Sequence, residues 1–163
     1  MQRTETLIKE MISFYSGDPK RIQHFIKVHS FAKTIGLLEK LDKETLYILE
    51  TAALVHDIGI KACEEKYGDC NGKLQELEGP AEARKLLSEL GYAEGVMDRV
   101  CFLVAHHHTY DKVDKMDYQI LIEADFLVNM FEDKLEKKSI EVAFNRIFKT
   151  PSGRFLCKQM FGL

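Results

Sequence analysis

Histidine and aspartate residues occur at several separate points of this 163-residue sequence, most of them in apolar surroundings. They are His24, His29, His56, Asp57, Asp125 and the three consecutive histidines His106, His107 and His108. Burying such polar side chains without partners would cost several kcal/mol each. A divalent cation bound between them offsets that cost, and it also lowers the pKa of a bound water toward ~7. We therefore expect a metal centre, and hydrolysis is the leading chemistry.

The direction of each side chain on its predicted helix selects the candidate ligands. At ~100° per residue, His24 shares a helical face with Val28 and Ile35. His29 shares its face with Lys33 and is in more mixed surroundings. His24 is therefore the better inward-pointing ligand, and His29 is kept as the alternative.

The pair His56 and Asp57 and the later Asp125 extend this candidate set. His56 ends a predicted helix and Asp57 follows where the chain leaves it, so both side chains can turn toward one ion. Gly59 permits a tight turn of the backbone after them. Asp125 lies on an apolar helical face, where a lone carboxylate needs a cation or a strong hydrogen-bond partner. Imidazole and carboxylate ligands together fit Mn, Fe, Co, Ni or Zn and do not select one of them.

Helical periodicity dominates the chain and must supply the elements that position these residues. The predicted helices cover residues 4–15, 19–40, 43–56, 79–90, 94–107, 117–131, 136–148 and 154–161. Asp18 and Asp42 are the predicted N-caps of the second and third helices. A turn is expected at 60–66 and a long polar loop at 66–78. Without any alternating strand, repeat or linker, we expect one domain, residues 1–163, folded as an all-α orthogonal bundle.

Three short motifs carry a resemblance to a known family. A helix with His24 followed four residues later by Val28, then His56-Asp57-Ile58-Gly59, then Ala124-Asp125 in a late helix, resembles the HD superfamily of metal-dependent phosphohydrolases, of the HDIG type. The resemblance covers roughly residues 20–130. It implies the all-α HD-domain fold and a metal site of four ligands, which are His24, His56, Asp57 and Asp125.

Two branches of that superfamily are disfavoured by the motifs. The two-metal HD-GYP cyclic-dinucleotide phosphodiesterases have a further histidine where this chain has Gln75, and a Gly-Tyr-Pro signature where it has Thr109-Tyr110-Asp111. The consecutive histidines do supply the His-His pair of that branch. Hydrolases of guanosine tetraphosphate have a Glu-Asp pair that is missing after Asp57.

The histidine cluster is the expected substrate side of the site. The faces of the helix that starts at Glu94 predict His106 and His107 at the mouth of the metal cavity, with His108 pointing away. The pair would bind a second metal ion or contact a substrate phosphate, with His107 as general acid. A plain polar helix end is the structural alternative.

Other polar residues are expected around the cavity. Lys61, four residues after Asp57, is a candidate for neutralising a substrate phosphate. The loop 66–78 is a candidate lid, and loops of this kind often carry function. The loop residues that would line the cavity are Lys73, Gln75, Glu76 and Glu78, with Gln75 and Glu78 also candidates for the second metal or the substrate.

Composition narrows the class of protein. The net charge is -3, which gives no basic excess for general nucleic-acid binding. Residues 1–6 carry charges and no apolar stretch, so no signal peptide is predicted, and no run is long enough to span a membrane. We expect the four cysteines to be free thiols in a reducing cytoplasm.

The leading hypothesis is a cytoplasmic metal-dependent phosphohydrolase, a phosphomonoesterase or phosphodiesterase, acting on a small phosphate ester, with a nucleotide as the first candidate. Asp57 would orient the attacking water. The alternative is an HD domain that binds a metal and senses a ligand without turnover. A two-iron oxygenase is a third reading, and Gln75 argues against its second ligand set. The sequence leaves the substrate, the native metal and a possible homo-oligomer open.

Overall fold

The computed structural model describes residues 2–163, with side chains from Thr4 onward, and Met1 lies outside the described residues. This part of the chain contains nine α-helices and no strand, so the predicted all-α class is confirmed. The helices are α1 (Gln2–Phe14), α2 (Pro19–Leu38), α3 (Lys43–Val55), α4 (Gly59–Tyr67), α5 (Gly72–Glu89), α6 (Glu94–Val104), α7 (Met116–Glu132), α8 (Lys137–Ile147) and α9 (Pro151–Phe161). None of these helices is long and apolar enough to cross a membrane.

The helix starts follow local sequence signals. Asp18 accepts a hydrogen bond from the Arg21 amide at 3.1 Å, and Pro19 occupies the first turn of α2. Asp42 caps α3 by accepting from the amides of Glu44 and Thr45. Both predicted N-caps are therefore confirmed, and such caps typically contribute about 1 kcal/mol each.

The predicted turn at 60–66 and loop at 66–78 are wrong. Residues 59–67 form α4, and α5 begins at Gly72, capped by the Asn71 side chain, and continues through Pro80. The glycines explain the difference. A Cβ on Gly59 would lie 2.6 Å from the backbone nitrogen of Gly79, so these two residues allow α4 and α5 to cross in close contact. The crossing stabilises a helix where the local composition predicts a loop.

A central group of helices, α2, α3 and α7, carries the core and positions the site. Leu49, Ala52 and Ala53 of α3 are fully buried, and α7 is buried along most of its length. The last turn of α3 therefore ends inside the protein rather than at its surface. Polar residues at that point are enclosed by the facing helices.

The cysteines differ from the expectation of four free thiols. Cys63 of α4 and Cys70, just before α5, form a disulfide with their Cα atoms 5.5 Å apart. Cys101 and Cys157 are free and buried. The short turn between α4 and α5 brings the first two together, which their spacing alone does not indicate.

Candidate metal centre

Four side chains, two from the helices α2 and α7 and two from the turn that follows α3, lie around the facing Nε2 atoms of His24 and His56. The Nε2 atom of His24 lies 3.2 Å from Nε2 of His56, 3.3 Å from Oδ2 of Asp57 and 3.2 Å from Oδ1 of Asp125. The Nε2 atom of His56 lies 3.4 Å and 3.5 Å from the same two carboxylate oxygens. The structure therefore brings together the four residues that the sequence selects.

Two helices and the turn between α3 and α4 hold these residues. His24 lies on α2, His56 follows the last turn of α3, Asp57 lies between α3 and α4, and Asp125 lies on α7. The buried Tyr15 donates a hydrogen bond from its hydroxyl to the carbonyl oxygen of Asp57 at 2.8 Å, which ties that turn to the end of α1.

Hydrogen bonds on the far side of each ligand fix its direction. Nδ1 of His56 lies 2.8 Å from the carbonyl oxygen of Ala53, so it carries the proton and leaves the Nε2 lone pair facing the centre. Nδ1 of His24 lies 2.6 Å from Glu132, a carboxylate that fixes the ring in the same way. Asn129 donates to Oδ1 of Asp125 at 2.8 Å. Outer hydrogen bonds of this type are typical of histidine and carboxylate ligands to metals.

The spacing of the donor atoms fits a transition-metal ion. Atoms about 2.1 Å from a common ion lie about 3.0 Å apart at a right angle and about 3.4 Å apart at the tetrahedral angle. The five distances above, 3.2–3.5 Å, are close to this range. A cation between them would satisfy the two facing imidazole nitrogens and the carboxylates of Asp57 and Asp125 at once.

A second buried carboxylate on α7, that of Glu123, has its hydrogen-bonding needs met by donors of the protein. Glu123 is fully buried and accepts hydrogen bonds from Gln119, from the Lys149 amide, and from the amide and hydroxyl of Thr150. Its needs are met by the chain itself. Asp125 instead has one amide donor and two imidazole rings, the arrangement that a cation completes.

The charges of the four residues support one another in the absence of metal. Burial alone would raise the pKa of Asp57 and of Asp125, but the facing imidazoles hold both pKa values well below the ordinary carboxyl range. Burial would lower the pKa of His24 and of His56, but the carboxylates outweigh it and raise both. The metal-free site therefore retains protons that a metal ion must displace.

Comparison with known proteins gives the family of this chain. The sequence model of the HD domain matches residues 21–143, a range that contains all four converging residues. This chain belongs to the HD family. It is also similar to the crystal structure of a predicted HD superfamily hydrolase from an uncultured Thermotogales bacterium, with a TM-score of 0.66 and 25% identity over 99% of this chain and 85% of that one. No curated protein matches the sequence at a significant level.

The histidine cluster of this HD chain differs from the expected arrangement. His107 is buried, with Nδ1 2.8 Å from the Val104 carbonyl and Nε2 3.4 Å from Oδ1 of Asp57. His108 lines the cavity into which His24, Asp57 and Asp125 open. His106 instead stacks on Phe102, and its Nδ1 atom bonds to the Phe102 carbonyl oxygen. The prediction that His106 lies at the mouth and His108 points away is therefore wrong. Helix α6 ends at Val104, so the helical rotation does not extend to these residues.

The remaining candidates separate into two groups. Gln75 lines the cavity, with Oε1 2.7 Å from Nε2 of His108. Lys61 lies elsewhere, with Nζ 5.1 Å from the centre of the Phe14 ring, and it lines a separate surface cavity. Glu78 bonds to Lys66 and Tyr67 at the surface.

Two further candidates lie outside the centre. Nε2 of His29 is 2.9 Å from Glu50, away from the four converging residues. Glu76 accepts hydrogen bonds from the His108 amide and the Thr109 hydroxyl, which holds the segment after α6 in place.

Several cavity residues were missed at the level of sequence. Asn129 and Glu132 follow Asp125 by four and seven residues, the spacing of one helical face, and that periodicity could have indicated them. Lys20 and Arg21 lie in the first turn of α2 and line the same cavity, which has a volume of about 350 Å³. Their position follows from how α2 meets α4, which no local signal gives.

Proposed function

We propose that this HD chain is a metal-dependent phosphohydrolase acting on a small phosphate ester, with a nucleotide as the first candidate. The observation that carries the proposal is the convergence of His24, His56, Asp57 and Asp125 on one point in an open cavity. These four residues would hold the ion. Mn, Fe, Co, Ni and Zn all fit such ligands.

A divalent ion held there would polarise a phosphoryl oxygen and supply a hydroxide near neutral pH. Asp57 is placed to orient the attacking water, because one of its oxygens faces the histidine pair and the other faces His107. Nε2 of His107 is buried and has no hydrogen-bond partner among the described residues. In the proposed reaction it contacts a phosphoryl oxygen or helps to bind a second ion with Asp57 and His108, which form a second possible ligand group.

The charge of the cavity supports a metal-dependent mode of substrate binding. Seven carboxylates line it, against two permanent cations, Lys20 and Arg21, and the His24 imidazole, whose pKa is raised. Arg21 is already paired with Asp18 and Glu64, whereas Lys20 has no ion pair among residues 4–163. A phosphate dianion would be repelled by this surface without bound metal, so we assign Lys20 to the substrate phosphate in place of Lys61.

Metal analysis and a substrate screen test the proposal together. The protein would be purified without added metal and analysed for its elements, then screened against phosphate esters with Mn²⁺, Co²⁺ or Ni²⁺. We expect metal-dependent release of phosphate or of a nucleotide, abolished by Asp57→Ala. His29→Ala is the matched control, because it removes a histidine of the same helix α2 outside the site.

Two outcomes would contradict parts of the proposal. Metal bound without any turnover would favour the alternative, a regulatory or ligand-sensing HD domain. Full metal occupancy in Asp125→Ala would show that the ion lies elsewhere. One equivalent of metal per chain would leave His107 to the substrate, whereas two equivalents would assign it to a second ion.

A further inference from the structure

A second cavity, of about 250 Å³, lies outside the metal centre, between α7, the end of α8 and the segment that connects α6 to α7. We refer to it as the Tyr110 cavity. The residues that line it are Tyr110, Asp111, Val113, Gln119, Ile122, Arg146, Ile147 and Lys149. Neither the proposed hydrolysis nor the HD motifs use any of them.

The Tyr110 cavity has an apolar floor and an aromatic wall. Ile122 and Ile147 are buried beneath it. The Tyr110 ring packs edge-on against Phe126, with the ring centres 5.2 Å apart, and 38% of the tyrosine is exposed. A small number of polar groups around an apolar floor is typical of sites for small molecules.

The charged groups of two side chains at this cavity form no ion pair with residues 4–163. Arg146 and Lys149 form no ion pair among residues 4–163, and Asp111 is the single carboxylate of the lining. Gln119 uses its amide nitrogen to bond Glu123 and the Ile147 carbonyl, which fixes its orientation. The catalytic cavity has the opposite character, with seven carboxylates and two cations. An anion would therefore be attracted to the Tyr110 cavity before any metal is bound elsewhere.

We propose that the Tyr110 cavity binds a small aromatic anion, a planar ring that carries a phosphate or carboxylate group. The ring would stack on Tyr110 above Ile122 and Ile147. The anionic group would contact Arg146, whose guanidinium matches phosphate and carboxylate oxygens in pairs, and Lys149. The Tyr110 hydroxyl lies 3.4 Å from Nδ1 of His108, so the ligand would occupy the far side of a wall that the catalytic cavity shares.

Amide chemical shifts of ¹⁵N-labelled, metal-loaded protein test this binding directly. The probe is phenylphosphonate, which has a carbon–phosphorus bond in place of an ester linkage and so is not a substrate for phosphate-ester hydrolysis. Benzoate is the corresponding carboxylate probe. We expect shifts concentrated at residues 110–113, 119–122 and 146–149. Methylphosphonate lacks the ring and should bind at least tenfold more weakly than phenylphosphonate. Benzamide lacks the charge and should bind at least tenfold more weakly than benzoate.

The variant Arg146→Gln/Lys149→Gln should weaken phenylphosphonate binding at least tenfold without changing the melting temperature. Lys85→Gln/Lys138→Gln removes two exposed lysines elsewhere and should leave the affinity unchanged. Unaltered affinity in the first variant would overturn the proposal. So would shifts confined to the surroundings of His24 and Asp125, equal binding of methylphosphonate, or no shifts at 10 mM probe. None of these results depends on turnover.

Discussion

The crossing of α4 and α5 should be intolerant of a single methyl group. A Cβ at Gly59 would lie 2.6 Å from the nitrogen and 2.8 Å from the Cα of Gly79, and 3.0 Å from the Gln75 carbonyl oxygen. All three are backbone atoms, so no side-chain rotation can relieve the contact. Because ordinary contact begins at 3.4 Å, α5 must move away by up to about 0.8 Å.

Overpacking of this kind costs about 1–3 kcal/mol, and replacing glycine by alanine in a helix returns up to about 1 kcal/mol. We therefore expect Gly59→Ala to lower the free energy of unfolding by about 1–2 kcal/mol. For a chain of this length the melting temperature should fall by roughly 2–8 °C. Metal affinity should fall as well, because Asp57 lies two residues before Gly59 and Gln75 of α5 contacts His108.

Gly95→Ala is the matched control, since nothing lies within 4 Å of a Cβ at that position of α6. It should leave the melting temperature unchanged or raise it by up to about 4 °C. Thermal unfolding followed by circular dichroism, together with calorimetric titration of Mn²⁺, measures both effects. A Gly59→Ala protein as stable as the Gly95→Ala protein would refute the close-contact argument.

Three further predictions concern the metal centre and the disulfide. Glu132→Gln should weaken metal binding by about 10–100-fold while the fold is retained, and an unchanged Kd in a Co²⁺ titration would contradict its role in orienting His24. Metal affinity should rise with pH above ~6.5, because the raised pKa values of His24 and His56 mean that binding releases protons. The same raised values stabilise the metal-free fold fully below ~6.5, and that contribution is lost as pH rises through them, so the thermal stabilisation by metal should grow between pH 6 and 8. Cys63→Ser/Cys70→Ser should lower the free energy of unfolding by about 2–2.5 kcal/mol from loop-closure entropy, and stability equal to that of the oxidised wild type would contradict this.

The four candidate metal ligands could be predicted from sequence because polar side chains on apolar helical faces are unusual. Imidazole and carboxylate side chains on apolar helical faces are rarely buried without partners. His24 needed only the helical period to be chosen over His29, and the structure pairs His29 with Glu50 instead. The N-caps Asp18 and Asp42 were equally predictable, because capping depends on residues within four positions in the sequence.

The errors arise where tertiary contacts or helix ends decide the outcome. Helix α6 ends at Val104, so His106, His107 and His108 lie in a turn whose geometry the helical period does not describe. The helices at 59–67 and from Gly72 depend on the close crossing at Gly59 and Gly79, which is a contact between residues twenty positions apart. Neither effect is visible in a local window of sequence.

Glu123 and Asp125 mark the boundary between what sequence alone can and cannot assign. Both are buried carboxylates on the same helix, two residues apart, and in sequence both require either a cation or strong donors. The start of α9 decides the case of Glu123, because the amide and hydroxyl of Thr150 satisfy it. Among residues 4–163, the Asn129 amide donates to Asp125, which otherwise faces the Nε2 atoms of His24 and His56. The distinction follows from helix α9, which begins at Pro151, 28 residues after Glu123, and it leaves Asp125 as the buried acid that is a candidate metal ligand.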